Sequence, residues 1–233
     1  MKNKKLIILC RGKSLENIKL LNNEEYDTCI IVNDFKREVL HSYVKDFLAK
    51  QKNIEHFICR ENFALLTKQM YDYFNVKSVT LNVLKKEYSG EPPYRTPSRL
   101  KLMLDNMNVK SKYLDDSILK YSEPRKPTEL RLPGFPTMGV LTTSYAAAVL
   151  GYTDITVVGL DFYEAEYLTV CSSTKTKEAP KKSGIDKAPR MKNFLANLLE
   201  KFPDTLFTFY TYSSFNPGLK NVKINNKILE ENK

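Results

Sequence analysis

Cys10-Arg-Gly-Lys-Ser14 sets a single glycine, two cations and a hydroxyl between a short apolar run and a polar, periodic segment. Backbone N–H groups at such a turn point outward and favour an anion, and Arg11 and Lys13 add positive charge. Arg11, Gly12 and Ser14 are therefore candidates for holding a phosphate. The segment is not a P-loop, which needs a second glycine five residues before Gly12, where Ile7 stands. It is not G-x-G-x-x-G either, and an ordinary strand–helix turn is the alternative. Asn33 ends a second apolar run and suits hydrogen bonding to a base or ribose, or an Asx turn or helix cap. Arg60 holds the matching place after a third run, as a phosphate contact or as the partner of Glu61 or Glu25.

Gly159-Leu-Asp-Phe-Tyr163 is more specific. A glycine at a strand end permits close backbone approach, and Asp161 and Tyr163 can then reach a cleft. Tyr167 is four residues further on. A tyrosine hydroxyl donates to a phosphate oxygen without bringing charge, and two together can stabilise a departing phosphate. The alternative is that Phe162 and Tyr163 are core.

These residues need a frame. Residues 5–10, 27–33, 55–59, 77–83, 154–160 and 205–212 read as strands, with a short extended piece at 112–114. Helices are expected over 15–21, capped by Ser14, and over 35–51, with Val39, Leu40, Tyr43, Val44, Phe47 and Leu48 on one face. Further helices fit 63–74, 98–107, 139–150 and 190–202. Residues 121–136, with four prolines, read as irregular, and the charged tail from Lys220 as peripheral. Strands alternate with helices, and several strands are apolar throughout, which argues for an α/β, Rossmann-like, mostly parallel sheet covered on both faces. Ligands of such folds sit beyond the carboxyl ends of the strands, at the switch point, which is where the candidate residues fall.

The chain has 233 residues, 42% hydrophobic and 27% charged, enough for a core without staples and too apolar for wholesale disorder. No run approaches a membrane span, and the five apolar residues after the basic start are too few for a signal h-region, so a cytoplasmic protein is expected. The four cysteines are scattered without C-x-x-C and read as reduced core residues. Only two histidines, His41 and His56, are available to acid–base chemistry. No metal site is expected. The net charge of +10 suggests an anionic partner: a nucleotide, nucleic acid or an anionic membrane surface such as the inner membrane. Lys175 to Lys192 carries seven basic and two acidic residues, and it overlaps residues 164–188, a long polar loop of the kind that is functional or disordered.

The motifs together resemble the bacterial sialyltransferases of glycosyltransferase family 42. Cys10 to Leu15 looks like a diverged G-N-G-P-S-L turn, and the second strand ends in Asn as theirs does. Thr137-Met-Gly-Val140, the Ala-rich helix, Leu150-Gly-Tyr-Thr-Asp-Ile155 and Gly159 to Tyr163 resemble the family's T-S-G-V, A-x-x-L-G-Y-x-x-I and G-I-D-F-Y in order and spacing. The resemblance implies metal-independent transfer of a sugar from a CMP-activated donor to a glycan acceptor. It implies a nucleotide site from Arg11, Gly12, Ser14, Asn33, Arg60, Thr137, Gly139, Gly159 and Asp161, with Tyr163 and Tyr167 on the leaving phosphate. Residues 1–163 would form the nucleotide-binding domain, 164–188 a lid, and 189–233 the helix and strand that complete it. The departures are Arg11 and Arg60 where the family has Asn, Phe135 where it has Arg, and no histidine in the lid, where the family keeps its general base. Asp186 stands near that place, and a carboxylate there needs a raised pKa to serve. Three other readings remain: a nucleotide-binding relative without transfer activity, a pyrophosphokinase-like enzyme, which would require a metal site and finds only the acid pair Asp115 and Asp116, which reads rather as a turn, and a basic nucleic-acid binder, for which no basic-aromatic module is present. An oligomer is compatible with all of them.

Overall fold

Residues 5–9 are apolar after the first because they run between two neighbours with helices above and below. In the computed structural model, which describes residues 4–21, 23–58, 65–84, 95–123, 135–165, 168 and 186–226 (side chains of 95–98 aside), β1 (Lys5–Leu9) lies at the centre of an eight-stranded sheet. The strands in chain order are β2 (Thr28–Val32), β3 (Ile54–Ile58), β4 (Val76–Leu84), β5 (Lys110–Leu114), β6 (Asp154–Val158), β7 (Leu206–Tyr210) and β8 (Val222–Asn225). Their order across the sheet is β5-β4-β3-β2-β1-β6-β7-β8, and every pairing is parallel. The chain winds outward from β1 to β5, then returns to the other side of β1 for β6 to β8. The switch point is the β1–β6 pair, and the expectation of a doubly covered parallel α/β sheet holds.

The helices are α1 (Ser42–Ala49), α2 (Lys68–Tyr73), α3 (Arg95–Asn106), α4 (Met138–Ala148) and α5 (Ala188–Leu199). Alternation along β1 separates two cores. Leu6 and Ile8 pack with Val140, Leu141 and Leu195 on the α4–α5 side, while Ile7 and Leu9 pack with Leu15, Val44, Phe47 and Leu104 on the other. Helix α4 is buried over most of its length, which explains its small side chains: Thr143 and Ser144 return their hydroxyls to the carbonyls of Gly139 and Val140.

Four expectations change. Residues 13–21 form a 3-10 helix rather than an α-helix, and Ser14 lies inside it, with its hydroxyl turned elsewhere instead of capping. The helix read over 35–51 is two pieces, a 3-10 turn at Glu38–Leu40 and α1, separated by His41 in an extended conformation. That break leaves Leu40 75% exposed, off the face the periodicity put it on. Helix α2 is shorter than 63–74, and Thr67 caps it through Met70 N–H. The tail is not wholly peripheral, because Val222–Asn225 adds an edge strand to β7. The two rims of the sheet are thus β5, carrying Lys110 and Lys112, and β8, carrying an exposed Lys223.

Candidate functional site

Beyond β1 and β6 the two chain segments are locked to one another. Cys10 N–H donates to the Val158 carbonyl and Gly12 N–H to that of Gly159, both at 2.8 Å. Gly159 has φ 83°, and a Cβ there would lie 2.5 Å from the Cys10 carbonyl oxygen, so only glycine fits. A Cβ on Gly12 would lie 2.6 Å from the Gly159 carbonyl oxygen and collide with the Asp161 carboxylate. Gly139, at the start of α4, lets that helix approach Cys10 Sγ and Leu160. Burial pushes the Cys10 thiol up to about 12, with the charge of Asp161 adding to it, so it stays protonated and is no nucleophile.

Asp161 is 3% exposed and fastens three strand ends. Its Oδ1 accepts from Ser14 Oγ at 2.5 Å and Tyr212 N–H at 2.9 Å, with Thr211 Oγ1 at 3.1 Å. Its Oδ2 accepts from Ser14 N–H at 2.9 Å. Ser14 and Asp161 therefore meet, as the strand-end rule expects, but they meet each other. Their geometry is that of a frame beneath the site.

The turn after β6 is strained. Glu164 N–H donates to the Asp161 carbonyl at 2.8 Å, and both residues between are left-handed, Phe162 at φ 50° and Tyr163 at φ 64°. Primed turns of this kind favour Gly, Asn and Asp, and bulky residues there cost about 1–3 kcal/mol each. Three ties hold it: the Asp161 bonds, Phe162 buried against Phe215 with ring centroids 5.1 Å apart, and Glu164 bound to Ser214 N–H at 2.7 Å and to Lys192. Phe162 is core, as its alternative reading had it. Tyr163 is half-buried beside the same cluster. Leu168 N–H donates to the Arg11 carbonyl at 2.9 Å.

Arg11 does not simply add charge at the turn. Its Nε donates to Glu38 Oε1 at 3.0 Å, and the Glu38 side chain is fully buried. Desolvation raises the Glu38 pKa against the lowering effect of Arg11, and nearby Asp34 raises it further. Asn33 is half-buried at the carboxyl end of β2 with φ 60°. Thr137 caps α4, accepting from Val140 N–H at 3.3 Å. Asp186 is exposed in the turn before α5. Arg60 and Tyr167 lie outside the described residues, as does most of 164–188. The strand-end rule, applied after β7, also reaches Thr211 and Tyr212, which the sequence reading passed over. Glu38 had a signal of its own, an acid between Phe35 and Val39.

Neither histidine is placed as a free base at the switch point. His41 precedes α1, and His56 is fully buried in β3. Burial lowers the His56 pKa from 6.5 to about 4. A depressed folded-state pKa means the unfolded chain binds the proton more readily, so the stability is present above pH 6.5 and is lost as the pH falls toward 4. The loss is expected to reach about 3 kcal/mol, reduced by Glu38, whose raised pKa acts in the opposite sense. Urea unfolding at pH 7 and pH 4.5 checks this, and H56Q should flatten the difference.

Among the described residues no cluster of three or more His, Cys, Asp or Glu side chains could hold a metal, and no helix is long and apolar enough to cross a membrane. The chain matches no family model and no curated protein. Among solved structures it is similar to the sialyltransferase CST-II in complex with a trisaccharide acceptor and CMP, at 20% identity and TM-score 0.49, over 89% of this chain and 81% of that one. It is also similar to CstII from Campylobacter jejuni in complex with a substrate analogue, cytidine-5'-monophosphate, at 19% identity and TM-score 0.34, over 97% and 88% of the two chains.

Proposed function

We propose that the chain is a glycosyltransferase that takes a CMP-activated sugar, sialic acid or a relative, and transfers it to a glycan acceptor without a metal. The observation that carries the reading is the turn at Phe162–Tyr163. Two bulky left-handed residues, pinned from three sides at the carboxyl end of β6, hold a tyrosine beside the switch point where a nucleotide would lie. The motif resemblance, which joins the first turn, Asn33, Thr137-Met-Gly139 and Gly159 to Tyr163, supplies the substrate class.

In this reading Gly12, Ser14, Gly159 and Asp161 keep the floor of the site in shape. Arg11, Arg60, Thr137 and Gly139 border the phosphate, and Asn33 meets the nucleoside. The acceptor hydroxyl attacks the anomeric carbon, the carbon–oxygen bond to phosphate breaks, and CMP leaves with the electron pair. Tyr163 and Tyr167 donate to the departing phosphate, and Asp186 takes the acceptor proton. Residues 1–163 bind the nucleotide, 164–188 cover it, and 189–233 complete the sheet. The basic stretch Lys175–Lys192 suits an anionic membrane surface where acceptors are presented.

The test is CMP binding. A ligand bound only by the folded form adds about 2.7 kcal/mol at a hundred times its Kd, so the melting temperature should rise with CMP and not with AMP. Absence of any rise with CMP or CDP sinks the proposal. Tyr163→Phe should lower kcat about 100-fold in a protein that still binds CMP, as loss of one such donor does. A second reading, nucleotide binding without transfer, is favoured by the histidines: none follows His56, and His56 is buried. Donor hydrolysis separates the two, since the second predicts none.

A further inference from the structure

Asn33 holds an uncommon conformation, φ 60°, at a half-buried strand end, and something must keep it there. Its N–H donates to the Phe57 carbonyl at 2.8 Å, and its own carbonyl oxygen lies 2.6 Å from Nε2 of His56. A carbonyl only accepts, so the proton sits on Nε2. With its pKa lowered to about 4 by burial, the ring holds a single proton at neutral pH, and Nδ1 is a bare acceptor. The Tyr71 hydroxyl, 3.0 Å from Nδ1, must donate to it. The same oxygen accepts from Leu66 N–H at 3.3 Å. The donors therefore run one way, from Leu66 through Tyr71 and His56 to Asn33. His56 is fully buried and Tyr71 is 2% exposed, so water does not compete. An imidazole in this apolar strand costs desolvation unless both nitrogens are satisfied, and here one of the two satisfying bonds ends on a residue at the carboxyl edge of the sheet.

We infer that His56, fixed as its Nε2–H tautomer by Tyr71, is a positioning residue that holds the Asn33 peptide in its left-handed turn and so sets where Asn33 meets the nucleoside of a bound nucleotide. What Asn33 meets rests on the nucleotide reading above; the hydrogen-bonded chain does not.

The test has two arms. Long-range proton–nitrogen NMR of the unliganded protein should show Nε2 protonated and Nδ1 bare from pH 8 to pH 5.5. An Nδ1–H tautomer, or titration near the ordinary value, overturns the inference. Calorimetry with CMP should show H56F weakened about tenfold and H56Q, whose amide can still donate toward Asn33, within about threefold of the parent. H56F binding CMP as well as the parent overturns it. If H56F does not fold, Y71F takes its place, with a several-fold loss expected and no change counting against the inference. If the parent itself does not bind CMP, the nucleotide reading fails. The inference is then decided by the Asn33 backbone amide, which must shift in H56F or Y71F and stay put in H56Q.

Discussion

Asp161→Ala should destabilise the protein by about 4 kcal/mol and abolish nucleotide binding, while Asp161→Asn should cost about 2 kcal/mol. The gradation follows from how the carboxylate is used. Oδ1 collects Ser14 Oγ and Tyr212 N–H, with Thr211 Oγ1 close by, and Oδ2 takes Ser14 N–H. Asparagine keeps an oxygen at the first position and sets its amide donors against Ser14 N–H alone. Alanine leaves Ser14 N–H and Tyr212 N–H without this acceptor, while Ser14 Oγ keeps the Tyr210 carbonyl and Thr211 Oγ1 the Leu160 carbonyl. Ser14 and Asp161 are 147 residues apart in the chain, so the loss also loosens the first turn from the end of β6, leaving the Cys10 and Gly12 backbone bonds between them. Urea denaturation gives the stability, and calorimetry with CMP at a temperature where the variant is still folded gives the binding. An Asp161→Ala protein as stable as the parent would sink the account of the switch point given above.

Gly159→Ala is expected to cost about 4 kcal/mol. Part is the left-handed backbone at φ 83°, which an L side chain resists, and part is the Cβ placed 2.5 Å from the Cys10 carbonyl oxygen. Backbone cannot rotate aside as a side chain can, so β1 and β6 must part. Gly12→Ala is a useful contrast. Its Cβ meets the Asp161 carboxylate as well as the Gly159 carbonyl, so it should behave like Asp161→Asn with added strain. Thermal unfolding of the two variants checks the ranking, and a Gly159→Ala protein within 1 kcal/mol of the parent, on the order of an ordinary surface change, would contradict it.

The central strands were legible because a strand buried on both faces cannot hide its apolar character: Leu6 to Leu9 and Ile155 to Val158 have neighbours on every side. Strand β8 was not, since a four-residue rim strand, Val222-Lys-Ile-Asn225, is half-buried and no more apolar than a loop. Leu40 was misplaced because periodicity assumes an unbroken helix, and one extended residue, His41, resets the phase. Around the site, the rule that residues after strands gather at one edge located Gly12, Asn33, Gly159 and Asp161. It could not say which would bind each other. That Asp161 holds Ser14, or that Glu38 takes Arg11, depends on where returning segments land, and nothing in local spacing records it. The left-handed state of Phe162 and Tyr163 was equally invisible, because neither residue type favours it.

The lysines on the rims bear on how these molecules meet one another. If two copies paired antiparallel through β5, Lys112, its middle residue, would stand opposite its own twin with Cβ atoms about 5 Å apart. Lys110 would bring a further cation into the same junction. Like charges at that range, offset only in part by the Glu55 carboxylate 2.9 Å from Lys112 Nζ, oppose continuation of the ladder, so an open parallel sheet, which otherwise offers unpaired amides at each margin, is discouraged from stitching itself into filaments. Concentrated salt would weaken that protection and leave the backbone rims available for pairing.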